Sequence, residues 1–538
     1  MRLYDRRMPR VVTRRSTRPG DDQAAAALAR RFEPRDDFVL EQREADGTFS
    51  AAHGPFEHYR RTIVPADGRV VETIEFRVAV PYLRWLFGPL MARALRRPPL
   101  PPGAPLPWWS PPDRLDRRGS QALALLALAT LAVGYLNTLF TQTVAFAADE
   151  FGASKSAQGV AGTVVRCGIV FSVALVVLAD RRGRRAMLVI AAIAAPVLCA
   201  TGALAPNFAA LTATQTLGRP VAITLGLVIG VVAAEEVPRN SRAYAASVLA
   251  LSTGLGAGLC VMALPLADLS ERAWRFVYVV PIAFLAIAWE VHRRLPESRR
   301  FIAPHAMAPI MDRRRLTLLA GAAFLTNLLV APASFFGNRY LKDVRHYSAT
   351  RISLYTLVTN TPGGVGVMAG GHLADTRGRK VVGAVAVIGG AIFTVATFFA
   401  AGAPLWVAST LGAVIGGAAV PALGVYGAEL FPTGRRGMAA GVISTCSLVG
   451  SSAGLLLAGW LLDRDVSYGQ VMALLSTGPL IVAVLVLTRF PETAHADLDD
   501  LNPEDRLAAS SPPVASESEP QATAASRPPP PPPVHQRP

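Results

Sequence analysis

The sequence predicts an all-α membrane protein, with twelve transmembrane helices in two pseudo-symmetric six-helix bundles and a small cytosolic N-terminal extension. Three observations carry this. First, only 17% of the 538 residues are charged and mean hydropathy is +0.34. A chain long enough for several soluble domains consists instead of recurring apolar runs of about twenty residues, the length at which a helix crosses the hydrocarbon of a bilayer. Second, the net charge of +16 is crowded into the ends and the short loops. Third, the membrane part is duplicated. Leu178-Ala-Asp-Arg-Arg-Gly-Arg-Arg185 returns as Leu373-Ala-Asp-Thr-Arg-Gly-Arg-Lys380, with both Asp180 and Asp375 and Gly183 and Gly378 spaced by 195. Glu235-x-x-Pro238 returns as Glu429-x-x-Pro432 and Arg242 as Arg436, each 194 on, and Pro296-Glu297 returns as Pro491-Glu492, 195 on. Several features at one period mark an internal repeat.

In order, the chain divides into an extension (1–119), a first bundle (120–295), an inter-bundle loop (296–315), a second bundle (316–490) and a Pro-rich tail (491–538). The first twenty residues are Arg-rich but lack the apolar core of a secretory signal. Up to about Asp46 the extension is charged and Ala-rich, and is expected to be poorly ordered. Ile74, Phe76, Val78 and Val80 alternate with Thr73, Glu75, Arg77 and Ala79, a strand pattern. With Tyr59 to Val64 before it and Ala66-Asp-Gly68 as a turn, it predicts a β-hairpin. The stretch Tyr82–Arg97 carries Leu83, Leu86, Phe87, Leu90 and Ala94 along one helical face, interrupted by Pro89. It reads either as a basic amphipathic helix on anionic lipid or as part of a cytosolic appendage packed on the bundles. Pro98 to Pro112, with Trp108 and Trp109, is a stiff lead into the bilayer.

Twelve spans are expected near 121–147, 157–179, 186–205, 209–235, 244–267, 274–295, 316–338, 352–374, 381–401, 404–428, 438–462 and 469–490. An even number puts both termini on one side. The loops 180–185, 293–315 and 375–380 hold fourteen cations, against little beyond Lys155, Arg272, Lys342, Arg345 and Arg464 in the opposite loops, so the positive-inside rule places the termini in the cytoplasm of a cell-membrane protein. A pI near 10.4 could suggest nucleic acid, but cations held between hydrophobic spans account for it and no nucleic-acid partner is expected. Cys167, Cys199, Cys260 and Cys446 all lie in apolar runs without metal-ligand spacing. No nucleophile–base pair, metal cluster or phosphate loop is evident, so neither an enzyme nor a cofactor is expected. The acidic, then Ser/Pro-rich tail ending in Pro528 to Pro533 reads as disordered.

The doubled loop resembles the signature G-x-x-x-D-[RK]-x-G-[RK]-[RK] of the major facilitator superfamily of secondary transporters, and the acidic-Pro-Arg and Pro-Glu marks are similar to its sugar-porter and metabolite-symporter branches. Gly371 to Lys380 fits except at Thr376, whereas the first copy has Val176 at the opening glycine. The resemblance covers roughly residues 120 to 492 and implies the major facilitator fold, alternating access and a small-molecule substrate. It further implies a gating network of Asp180, Gly183, Arg184, Glu235, Arg242, Asp375, Gly378, Arg379, Glu429 and Arg436. In that network Asp180 would approach the eleventh helix near Gly437, and Asp375 the fifth near Ala243. A charge cluster that only fixes topology is the alternative.

Charges deep in a membrane cost several kcal/mol, about 3 for arginine on insertion scales, and usually serve function. Arg166 and Arg219 are therefore candidates for coupling. Leu217-Gly-Arg-Pro220 resembles the fourth-helix arginine motif associated in the family with proton coupling, apart from Pro220; Arg166 has no such counterpart. Either arginine could instead snorkel or bond backbone carbonyls. No acid occupies the middle of the first, seventh or tenth span, so protons are an open partner, with Glu235 and Glu429 the remaining acids to carry them. Asn137, Gln215, Asn327, Tyr355 and Asn360 are candidate cavity residues, and Pro332, Pro362 and Pro421 mark expected bends near a mid-membrane site. The expected function is movement of a small organic metabolite, sugar-like or an organic acid, by a monomer in the bilayer. Proton-coupled efflux of lipophilic compounds and a non-transporting sensor on the same fold are the alternatives.

Overall fold

The computed structural model describes residues 10–16, 29–66, 69–101, 110–111, 113–168, 171–178 in part, 183–238, 241–295, 312–424, 426, 430–431 and 436–493. The Trp108–Trp109 pair, the loop 296–311 and the tail beyond Thr493 lie outside them.

The hairpin expected in the extension is the centre of a larger sheet. Strands β1 (Arg10–Ser16), β2 (Leu40–Arg43), β3 (Phe49–His53), β4 (Phe56–Ala66) and β5 (Arg69–Val78) form an antiparallel sheet in the order β1-β5-β4-β3-β2. Poor order up to Asp46 is thus corrected at β1 and over 29–46, where sheet pairing and burial fix the chain. The alternation in β5 turns Ile74, Phe76 and Val78 inward onto Val12, Phe38, Phe56 and Tyr59. Helix α1 (Arg84–Leu95) covers this face with Met91, Ala94 and Leu95, while Trp85 and Leu90 stay exposed. Of the two readings of this stretch, the structure has the packed appendage: the sheet, not lipid, takes the buried helix face, which runs through Met91 and Leu95 instead of Leu90.

A fully buried cation sits in that sheet. The Arg61 guanidinium pairs with Glu41 at 2.6 Å and Glu72 at 3.3 Å and also donates to the Arg31 and Glu33 carbonyls. Burial and the adjoining Glu41 carboxylate, which accepts from the Tyr59 hydroxyl at 2.5 Å, push that hydroxyl well above the ordinary tyrosine range. Burial alone would lower the Arg61 pKa, but Glu41 more than offsets it, so the guanidinium stays charged.

Among the described residues, ten helices are long and apolar enough to cross a membrane. The second and eighth of the twelve expected spans complete the bundles in pieces. The second is described as Lys155–Cys167 and in part beyond, and the eighth breaks at Pro362 into Ala349–Asn360 and Gly363–Arg377. Pro332, by contrast, sits inside the unbroken seventh helix, Arg313–Asp343, and Pro421 lies within Ala419–Gly424. We call the side holding the termini the terminal face and the other side the far face.

Glycine fixes the tightest crossings, because only a missing side chain lets backbones approach this closely. A Cβ on Gly256 of the fifth span would lie 1.9 Å from the Leu131 carbonyl oxygen of the first span, and one on Gly134 would lie 2.0 Å from the Thr253 oxygen. Gly450 of the eleventh span, 194 positions after Gly256, meets Phe324 of the seventh in the same way at 2.2 Å. Gly254 and Gly258 face open space. The buried side chains then fall into three membrane clusters. One joins both bundles in the far half, through Tyr135, Phe140, Trp274, Phe335, Tyr340 and their neighbours. The other two, around Leu126 and Leu188 and around Tyr426 and Phe431, each belong to a single bundle in the terminal half. Among the described residues, the bundles therefore share a core in the far half only.

Gly256→Leu is expected to force the first and fifth spans apart at a cost of about 2 kcal/mol, lowering the thermal midpoint in detergent. Gly258→Leu should leave the midpoint within about 0.5 kcal/mol of the parent. In the sheet domain, Glu41→Gln strips Arg61 of its main counter-charge and should cost about 3 kcal/mol, seen as earlier loss of β signal in circular-dichroism melts.

Candidate transport site and gates

The far face is closed by charges meeting helix ends. The first turn of any helix leaves N–H groups without intrahelical partners and carries partial positive charge. Asp463, at the end of the eleventh span, accepts from the backbone N–H of Lys155 at 2.9 Å and Ser156 at 2.8 Å, the start of the second. Asp268, at the end of the fifth, accepts from Ala349 at 2.6 Å and Thr350 at 2.7 Å, the start of the eighth. The two aspartates are 195 positions apart, so this closure follows the repeat, although the sequence reading did not single them out. The same offset search that found Asp180 and Asp375 finds them.

A third, unpaired contact lies between. Asp149 of the first span pairs with Arg339 and Lys342 of the seventh, and Arg339 also donates to the Ala145 carbonyl at 3.2 Å. Asn338 donates to the Gln142 carbonyl at 2.9 Å and side chain at 2.8 Å. Asp149 is thus a cross-bundle partner. Further hydrogen bonds between the bundles in the far half run from Thr163 to the Ser452 carbonyl at 3.3 Å and from Ser353 to the Val261 carbonyl at 2.7 Å.

On the terminal face the described contacts stay within one bundle. Gly183 and Gly378 take positive φ of 101° and 96° at the turns that open the third and ninth spans, a conformation glycine adopts without strain. Arg184 pairs with Glu235, Arg118 with Glu236 at 3.1 Å, and Arg185 donates to the His292 carbonyl at 2.9 Å. In the second bundle, Glu492 accepts from the N–H groups of Arg379 at 2.9 Å and Lys380 at 3.2 Å, and Arg379 donates to Thr493 at 3.0 Å. Asp180 and Glu429, and the side chains of Arg242, Asp375 and Arg436, lie outside the described residues, as do the expected approaches of Asp180 to Gly437 and Asp375 to Ala243.

The second bundle encloses a cavity of about 470 Å³ against the first span. Its polar lining is Gln142, Asn338, Tyr355, Asn360, Ser334, Ser409 and four threonines, with no ionisable acid or base among the described residues. Tyr355 and Asn360 thus face it. Asn327 does not: it bonds the Ala323 carbonyl at 2.9 Å and accepts from Ser451 at 3.3 Å, tying the seventh span to the eleventh. Gln215 is buried, donating to the Cys199 carbonyl at 3.1 Å between the third and fourth spans. Asn137 is half-buried in the first span, with its Oδ1 unpartnered. Arg166 and Arg219 are both half-buried, and neither makes a hydrogen bond or ion pair with a described residue. The carbonyl-bonding alternative for them is thus absent among the described residues.

Two repeated bundles of membrane-crossing helices, joined at the far face among the described residues and holding a cavity against the first span, define a membrane transporter architecture. The chain belongs to the Major Facilitator Superfamily, whose family model matches residues 126–403 and 316–525. Among solved structures it is similar to an inward-open xylose transporter, XylE, from E. coli, with TM-score 0.59 and 16% identity over 71% of this chain and 98% of that one. It is also similar to the nucleoside transporter NupG (0.58, 13%, 69% and 100%) and to a bacterial homologue of the human lysosomal transporter Spinster, inward-facing (0.56, 14%, 69% and 94%). No curated protein sequence matches the chain.

Replacing both Asp268 and Asp463 with Ala should remove two caps worth about 1 kcal/mol each, raising the far-open population roughly thirtyfold. Spin labels at the far ends of the second and eleventh spans should move apart. An unchanged distance distribution in the double variant would leave the closure to Asp149 and apolar packing.

Proposed function

We infer that the protein moves a small organic metabolite across the cell membrane by alternating access, with both termini in the cytoplasm. The observation that carries this is a cavity of about 470 Å³ in the second bundle, facing Gln142 of the first span, with hydroxyls and amides set among apolar walls, beside bundles whose described contacts join at the far face. Those hydroxyls and amides can donate and accept, which suits a solute that carries hydroxyl groups. The Lys/Arg-rich loops at the terminal face favour its being cytoplasmic. The solved structures with this architecture include a D-xylose-proton symporter and a nucleoside transporter, in keeping with a polar metabolite.

On this reading Arg184, Glu235, Arg379 and the loop aspartates Asp180 and Asp375 serve as the cytoplasmic latch. They are held within each bundle while that side is open and recruited across when it closes. The terminal-face network would then alternate with the far-face aspartates, each group engaged in one half of the cycle.

Purified protein in liposomes should show counterflow with one or more members of a panel of sugars and hydroxylated organic acids, and none with lipophilic cations. Selective extrusion of the lipophilic cations driven by a pH gradient would replace this reading with efflux.

A further inference from the structure

We propose that Arg166 and Arg219 form an anion-binding pair at mid-membrane, and that the transported metabolite carries an anionic oxygen group, carboxylate or phosphate, that seats between them. This rests on the transport reading and names the substrate class for it.

The two arginines share one depth. The second span begins at Lys155 and the fourth at Phe208, both at the far face, and each arginine comes eleven positions later. At 1.5 Å per residue that is about 16 Å of helix, near the centre of a hydrocarbon core about 30 Å thick. The spans are in contact at this level: a Cβ on Gly168 would lie 2.9 Å from the Thr216 oxygen and 3.3 Å from the Pro220 ring, and Thr224 reaches the Ser172 carbonyl at 3.4 Å. Arg166 also stands 5.9 Å from the centre of the Phe335 ring, on the seventh span, which puts it where the two bundles meet.

What is missing is a counter-charge. Neither guanidinium has an ion pair or hydrogen bond to a described residue, and Arg219 Nε is buried without a partner. The acids described in the spans lie towards one face or the other, including Glu235, Glu236 and Glu290 at the terminal face and Asp149, Glu150, Asp268 and Asp463 at the far face. A cation at this depth in a bilayer without a partner is unfavourable, and a second one at the same depth adds to the cost. The centre of a bilayer is also too deep for either side chain to reach headgroups. Arginine cannot shed the difficulty by losing its proton. The remaining source of negative charge is the cargo. A guanidinium presents paired N–H donors in a plane that matches carboxylate and phosphate oxygens. The hydroxyl and amide groups across the interface, Asn338, Tyr355 and Asn360 among them, would take the hydroxylated remainder.

The test uses the full-length protein, first by thermal-shift binding in detergent and then by counterflow in liposomes, with gluconate, glucose 6-phosphate and glucose as probes. The expected result is stabilisation and exchange with gluconate or glucose 6-phosphate but not glucose; which anion acts separates carboxylate from phosphate. Arg166→Gln and Arg219→Gln should each raise the apparent Kd for that anion at least tenfold, with Arg219→Lys retaining part of the affinity. Should a glutamine variant fail to insert, the lysine variants and the parent protein's selectivity carry the comparison. Transport of glucose with both anions inert would overturn the anion pair and leave transport standing. Binding of an anion, lost in the arginine variants, without movement of any solute would uphold the pair and overturn transport. Failure of both anions to bind or move overturns the pair outright.

Discussion

Two carboxylates hold the N-termini of helices that belong to the opposite bundle, and the state of the whole molecule follows from those contacts. Asp268 and Asp463 each satisfy a pair of backbone N–H groups that the second and eighth helices cannot satisfy themselves. With the far ends joined in this way, the aromatic core around Tyr135, Trp274, Phe335 and Tyr340 can run continuously across the interface. At the terminal face nothing comparable is described, and each bundle keeps its own apolar cluster. Such hydrogen bonds are individually modest, about 1 kcal/mol each, which suits contacts that would break once per cycle on the proposed alternating-access reading.

Glycine crossings supply the complementary rigidity. Gly256 with Leu131 and Gly450 with Phe324 bring the fifth span to the first and the eleventh to the seventh at backbone distance. The helices that carry the gate aspartates are thereby fixed to the helices at the centre of their own bundles. Movement at the far face can then pass to the core as rotation of a unit, because spans held at that distance have no slack between them. The sheet domain belongs to the first of these units. Arg114 pairs with Asp36, Asp113 and Ser241 exchange bonds at 3.0 Å, and the Arg294 guanidinium stands 5.7 Å from the Tyr82 ring. These attach it to the ends of the first, fifth and sixth spans, so it rides with that bundle.

The bundle architecture was legible in the sequence because burial in lipid demands a long apolar run, and the repeat doubled every signal. The turn glycines could be read from the repeated loop, and the strand alternation around Phe76 because a periodic pattern stands for a physical face; Tyr355 and Asn360 were named only as polar residues within a span. What could not be read depended on contacts between distant segments. Asn327 and Gln215 look like cavity residues by composition, yet each spends its amide on a neighbouring carbonyl, and only the packing shows which way a polar side chain turns. The extension's sheet was under-read because β1 and β2 are short, charged strands whose burial comes from Arg61, Glu41 and Glu72 pairing inside it.

The arginines and the missing acids bear on how a cycle could be driven. A transporter that loads a proton at mid-membrane needs a group there that binds and releases it near neutral pH, and among the described residues no Asp, Glu or His lies at that depth. Two fixed cations at mid-depth have the opposite effect. Empty, they oppose closure of the terminal face, because closing would seal unpaired charge in a low-dielectric space. Filled by an anion, the site approaches neutrality and that penalty falls. The same electrostatics that select the cargo would therefore also favour the loaded protein over the empty one in crossing between states, linking movement of the bundles to occupancy without a separate coupling ion.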